Sequence, residues 1–176
     1  MSDRLPERVN PYRLADQGRE LVGSYPLNLM PRLAEAVSEV SGDAMVHMAF
    51  SRSAGGLALV DGGIQATLVL TCQRCLGLME YPVKTEISVA FVPDEATAGL
   101  MQEDYDVMVV PDELFIRDLI EDELMLSLPL IARHESPENC EEAMQDYLHK
   151  EFESSTEHVE KKPNPFDVLS TLKGKH

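Results

Sequence analysis

Hydrophobic positions along the chain change their spacing twice. Leu29, Leu33, Ala36, Val37 and Val40 recur every three or four positions, the period of one helix face, in a helix that ends before Gly42. Upstream, Asn10 supplies an N-cap, Pro11 suits the first helical position and Gly18 suits the end of a short helix. The first forty residues therefore predict a helix, a short extended piece and a second amphipathic helix.

From Met45 to Val92 the period falls to two. Val46, Met48 and Phe50 alternate with His47, Ala49 and Ser51. Ile64, Ala66, Leu68 and Leu70 alternate with Gln65, Thr67, Val69 and Thr71, and the run Val83, Thr85, Ile87, Val89, Phe91 repeats the pattern. Ser53-Ala54-Gly55-Gly56 and Asp61-Gly62-Gly63 read as the turns between neighbouring strands, so an antiparallel meander of about four strands with one buried face is expected. After Val92 the helical period returns. Ile116, Leu119, Ile120, Leu124 and Leu128 share one face, Asp118, Glu121 and Asp122 the other, and Pro129 stops the helix. The fold class that follows is α+β: an antiparallel sheet of about four strands packed against one long amphipathic helix, with N-terminal helices and a C-terminal helical tail. The expected organisation is a single α+β domain over 1–150, in which Glu141 to Lys150 forms a further short helix, an acidic flexible linker over 151–162, and a short helix motif over 163–176.

Charge sharpens this picture. The 176 residues hold 15 basic and 31 acidic side chains, a net −16. Residues 1–90 contribute −2, residues 91–160 contribute −17 and residues 161–176 contribute +3. A free-standing nucleic-acid binder with a broad basic surface is excluded, because phosphate contacts need clustered Lys and Arg. The acidic block reads either as a solvated surface or as a docking face for a basic protein. Met1 to Asn10 has no apolar run of the signal-peptide kind, and Leu124 to Ala132 is broken by Ser127 and Pro129, well short of the ~20 residues that span a bilayer. A cytoplasmic protein without a membrane partner is expected. Its three cysteines then stay reduced or bind metal.

The most specific local chemistry is Cys72-Gln73-Arg74-Cys75, placed at the turn between two expected strands. Two thiolates at this spacing grip one zinc, and a closed tetrahedral site needs two more ligands. His134 and Cys140 are the available ones, so Cys72, Cys75, His134 and Cys140 are the candidate ligands and zinc the one candidate cofactor. The plainer alternative is a reduced pair packed in the turn. A thioredoxin-like redox pair fits less well, since such pairs open a helix and here a strand follows. Crowded carboxylates such as Glu121-Asp122-Glu123 are usually solvated, and the chain has no glycine-rich phosphate loop or nucleophile elbow, so neither an enzyme nor a small-molecule substrate is expected. At the C-terminus Asn164 caps, Pro165 fits the first helical turn, and Phe166, Leu169 and Leu172 form a narrow apolar stripe. A helix this short is marginal alone, and it docks either on its own domain or on a partner.

Cys72-Gln73-Arg74-Cys75-Leu76 after an alternating strand, Asp118-Leu119-Ile120-Glu121-Asp122-Glu123-Leu124 leading to Leu128-Pro129, then His134, Cys140 and the terminal Lys162-Pro163-Asn164-Pro165-Phe166 with Val168-Leu169 together resemble the YceD family. These are called large ribosomal RNA subunit accumulation proteins. The resemblance runs from about Asn10 to Lys173. It implies a non-catalytic role in synthesis, processing or stability of 23S ribosomal RNA and in biogenesis of the large ribosomal subunit, in a family whose members tend to be encoded next to a small basic ribosomal protein. Some relatives carry further cysteines after the acidic helix, whereas this chain has only His134 and Cys140 there.

With the charge count, the expected partner is a basic ribosomal protein or assembly factor, and contact with ribosomal RNA is indirect. The expected partner-binding residues are Asp118, Glu121, Asp122 and Glu123, the acidic stretch Glu138 to Glu142, and Asn164, Pro165, Phe166, Leu169 and Leu172 of the tail. The alternatives are direct RNA binding through a patch of Arg74, Lys84, Lys161, Lys162, Lys173 and Lys175, or an RNA-processing enzyme that uses Cys72 or a carboxylate.

Overall fold

The computed structural model describes residues 4–99 and 106–140. The chain divides into two compact units, Met1–Arg133 and His134–His176. The first contains β1 (Arg8–Val9), α1 (Pro11–Gln17), β2 (Glu20–Pro26), a 3-10 turn (Leu27–Leu29), α2 (Pro31–Ala36), β3 (Asp43–Arg52), β4 (Ala58–Thr71), β5 (Leu78–Val92), α3 (Glu95–Ala98), β6 (Asp106–Val109), β7 (Leu114–Phe115) and α4 (Ile116–Leu126). In the second, a 3-10 turn spans Pro137–Asn139. The helix expected over 141–150, the linker over 151–162 and the terminal motif with Asn164, Pro165, Phe166, Leu169 and Leu172 lie outside the described residues.

Strands dominate. β2, β3, β4, β5 and β6 form one sheet in that order, antiparallel except for the β5–β6 pair, which is parallel. A sheet of about four antiparallel strands under one long helix is thus overturned: the sheet is five-stranded and mixed, and among the described residues all the helices are short. The added strand β6 is only four residues long. Its parallel register, Val89 beside Asp106 and Val92 beside Val109, requires a crossover that no hairpin signal announces.

The period-two pattern does describe the three long strands. Val46, Met48 and Phe50 of β3, Val60, Ile64 and Leu68 of β4, and Val83, Ile87, Val89 and Phe91 of β5 are buried on one face. Antiparallel register places Phe50 opposite Val60 and Val60 opposite Val89, and the Phe50 and Phe91 rings stack at 6.3 Å between centroids. The outer face carries Met45, Gln65 and Lys84 in one row and His47, Gly63 and Glu86 in the next. Gly62 belongs to the strand rather than to a turn. A β-carbon there would lie 2.0 Å from the carbonyl oxygen of His47, so only glycine lets β4 approach β3 this closely.

Two helices end earlier than their sequence period suggests. The expected second helix, from Leu29 to Val40, reduces to the six residues of α2. Val37 turns extended, the Ser38 amide donates to the Val69 carbonyl at 2.8 Å, and Glu39 bridges Val69, so β4 captures this stretch. α4 stops at Leu126, before Pro129, because the Ser127 hydroxyl donates back to the Leu124 carbonyl at 2.7 Å and the residue before a proline disfavours helix. α1 keeps the expected caps. The Asn10 side chain accepts from the Arg13 amide, and Gly18 adopts φ of 57°.

Helices of seven, six and eleven residues are marginal on their own. Burial holds them. Ile116, Leu119, Ile120 and Leu124 of α4 and Leu33 of α2 join the sheet's core. At the contact between the helices Glu121 is 1% exposed. Its carboxylate accepts from the amides of Arg32 and Leu33, at 2.7 and 3.0 Å, and from the Arg32 guanidinium. A side chain of α4 thereby satisfies orphan donors at the start of α2. The short β1–β7 pair ties the N-terminal segment to the start of α4, with Arg8 over the Phe115 ring at 4.5 Å.

Two outcomes follow. Gly62→Ala should cost about 2 kcal/mol or more, since the obstacle is backbone and cannot turn aside, while Gly63→Ala costs less. Urea unfolding at constant m value measures both. Glu121→Ala should cost about 2–4 kcal/mol by leaving the buried Leu33 amide and the part-buried Arg32 amide without an acceptor, with Glu121→Gln recovering part of the loss because it keeps one acceptor oxygen. Equal stability of the three proteins would refute this role for the carboxylate.

Candidate functional site

Strands β4 and β5 are the longest in the sheet, and their hairpin ends at Cys72-Gln73-Arg74-Cys75-Leu76-Gly77. The loop closes on itself: the Cys72 amide donates to the Gly77 carbonyl and the Leu76 amide to the Cys72 carbonyl, both at 2.9 Å. The Arg74 amide points at the Cys72 sulfur, 3.4 Å away. Leu76 takes a left-handed conformation, φ 60°, at the exit of the turn; this backbone setting costs a residue with a β-carbon roughly 1 kcal/mol or more. Both cysteines are buried, and neither is in a disulfide. Two sulfurs held on a closed loop, with an amide aimed at one of them, are an arrangement compatible with half of a tetrahedral metal site. The Gln73 amide donates to the Ala132 carbonyl at 2.8 Å, which anchors the chain after α4 against this turn.

The second unit begins with the other two candidates. Ser136 caps the 3-10 turn through the Glu138 amide, and the turn delivers Cys140 to 3.8 Å from Nδ1 of His134. Cys140 is buried and His134 is half-buried. By residue type the two pairs supply three thiols and one imidazole, the donor set of a closed structural zinc site rather than of a catalytic one with an open position.

The acidic candidates of α4 separate by direction. Glu121 faces inward and is engaged by α2. Asp118 pairs with Arg117 at 2.8 Å, and Asp122 pairs with Arg32 at 2.6 Å. Glu123 has neither partner, and burial together with Asp106 and Asp122 pushes its carboxyl above the usual range. Asp106, at the start of β6, and Arg32, on α2, belong to this electrostatic group, and the sequence period of α4 points to neither. They lie in other elements, and no residue spacing connects them to it. Glu138 falls on the 3-10 turn of the second unit. Among the described residues no helix is long and apolar enough to cross a membrane.

Comparison with known proteins agrees with the motifs. A curated protein of Haemophilus influenzae, named large ribosomal RNA subunit accumulation protein YceD, is 34% identical over 174 residues, 98% of each chain. No solved structure matches the chain. The family model described as large ribosomal RNA subunit accumulation protein YceD matches residues 60–173, a span that takes in the Cys72–Cys75 turn, α4, His134 and Cys140; the chain belongs to the YceD family.

Proposed function

We propose that this protein is a non-catalytic factor in the cytoplasm that supports accumulation of 23S ribosomal RNA during biogenesis of the large subunit, acting through a basic protein partner. The family and the name of its relative support the ribosomal part of this reading. Charge supports the rest. Residues 91–160 carry a net −17, while Arg8, Arg32, Arg52 and Arg117 are each paired with a carboxylate of their own unit. Cations already engaged in this way are poorly placed to bind phosphate, whereas the acidic excess of residues 91–160 outnumbers them, and Glu123, which pairs with neither Arg32 nor Arg117, is placed to steer a basic protein over several ångströms. Glu121 serves that face from inside by holding α4 in its orientation.

Zinc belongs to the proposal as a structural ion. Cys72, Cys75, His134 and Cys140 would be its ligands. The carrying observation is the Gln73–Ala132 bond, which leaves His134 only two residues beyond a point anchored to the cysteine turn. Three thiolates and an imidazole suit zinc, and closing the site would order the segment that follows α4.

Two measurements test this. Protein purified under reducing conditions should contain about one zinc per chain, with Cys72→Ser and Cys140→Ala each losing most of it. Zinc-free, folded wild-type protein would overturn the metal assignment. Capture on the tagged full chain should enrich a basic ribosomal protein or assembly factor, survive ribonuclease, and weaken as salt rises. Capture that vanishes with ribonuclease would favour direct RNA binding instead.

A further inference from the structure

Beside α4 lies a groove of about 570 Å³ whose other wall is the edge strand β6. Its floor is apolar, made by Val89, Met108 and Met125, and Leu126, 81% exposed, stands at its margin. Four charged groups surround it: Asp106, Asp122, Glu123 and Arg32. The single cation among them is already engaged. Arg32 lies 3.1 Å from Glu121 and 2.6 Å from Asp122. Asp106 and Glu123 are left facing one another's field across a partly desolvated cleft, while Arg32 is committed to Glu121 and Asp122. This is a site that favours an incoming cation. The apolar floor in turn favours an incoming hydrocarbon side chain, with burial worth about 25 cal/mol per Å².

Shape narrows the class of occupant. Among the described residues no strand pairs with the outer side of β6, which ends the sheet. An edge strand beside an apolar groove suits an extended peptide, with alternate side chains directed into the groove and away from it. We propose that the groove between β6 and α4 receives an extended basic segment of a partner protein, with one apolar side chain on the Met108–Met125 floor and flanking lysines or arginines at Asp106 and Glu123. The inference rests on the reading above that the partner is basic, and adds where on the surface it is held and by which side chains.

A fluorescein-labelled decapeptide with a single leucine set between lysines and serines is a suitable probe, followed by anisotropy against the full chain at low and moderate salt. The comparison peptide replaces leucine by serine. The protein variants are Asp106→Asn combined with Glu123→Gln, Leu126→Ser, and a control with the same charge change on the outer sheet face, Glu80→Gln combined with Glu86→Gln. All of these sites are exposed or half-exposed, and thermal melts check that each variant is folded.

The groove double variant should weaken binding about fivefold or more, and the outer-face control less than about twofold. Leu126→Ser should weaken binding of the leucine peptide about threefold and leave the serine peptide unaffected. Equal losses in both double variants would reduce the interaction to unspecific charge and overturn the groove, while leaving a basic partner possible elsewhere. Failure of the wild-type chain to bind any cationic probe would overturn the groove and the basic-partner reading together. A change in oligomeric state with Leu126→Ser, read by light scattering, would assign the groove to a second copy of the chain and likewise overturn the proposal.

Discussion

A buried carboxylate organises the helical layer. Glu121 leaves water almost completely, and the amides at the start of α2 and the Arg32 guanidinium compensate it. Charge buried in this way is tolerated only when it is fully hydrogen-bonded, so α2 and α4 are held in one relative position. That position sets the rotation of α4. Leu119, Ile120 and Leu124 enter the core, while Asp122 and Glu123 emerge on the surface. One inward carboxylate among three consecutive acidic residues therefore decides where the other two emerge.

The sheet provides the second constraint. β4 and β5 are the longest strands of the sheet and carry the buried Cys72–Cys75 turn on their tip. Gly62 lets β3 and β4 draw together in the middle of this long ladder, and the stacked Phe50 and Phe91 mark its packed end. The cysteine half-site and the acidic groove thus sit on different parts of one scaffold. The hairpin presents one, and the junction of β6 with α4 forms the other. In the proposed role, metal would order the segment after α4, and carboxylates would engage the partner.

Much of this was legible from residue order, because its causes are local. The alternation in β3, β4 and β5 follows from a two-residue side-chain period, and the caps of α1 from the hydrogen-bonding groups of Asn10 and the conformational freedom of Gly18. The cysteine spacing placed two thiols together on the hairpin turn between β4 and β5. The ends of α2 and α4 were not legible. Val37 and Val40 fit a helical stripe equally well, and the competing bond from Ser38 to Val69 comes from a strand thirty residues away. Asp-Val-Met-Val at β6 is too short to announce a strand, and it becomes one only because β5 offers a free edge.

The sequence by itself determined the periodicities, the segregation of negative charge into residues 91–160, the zinc-type donor set and the family. Each of these depends on residue type and short-range spacing. Tertiary structure alone decided that the sheet is five-stranded and mixed, that Glu121 turns inward while Glu123 stays outward, and that Asp106 shares a groove with Glu123. Those outcomes depend on which distant segments compete for the same hydrogen bonds and the same buried volume, and the energy of that competition is set only when the chain is packed.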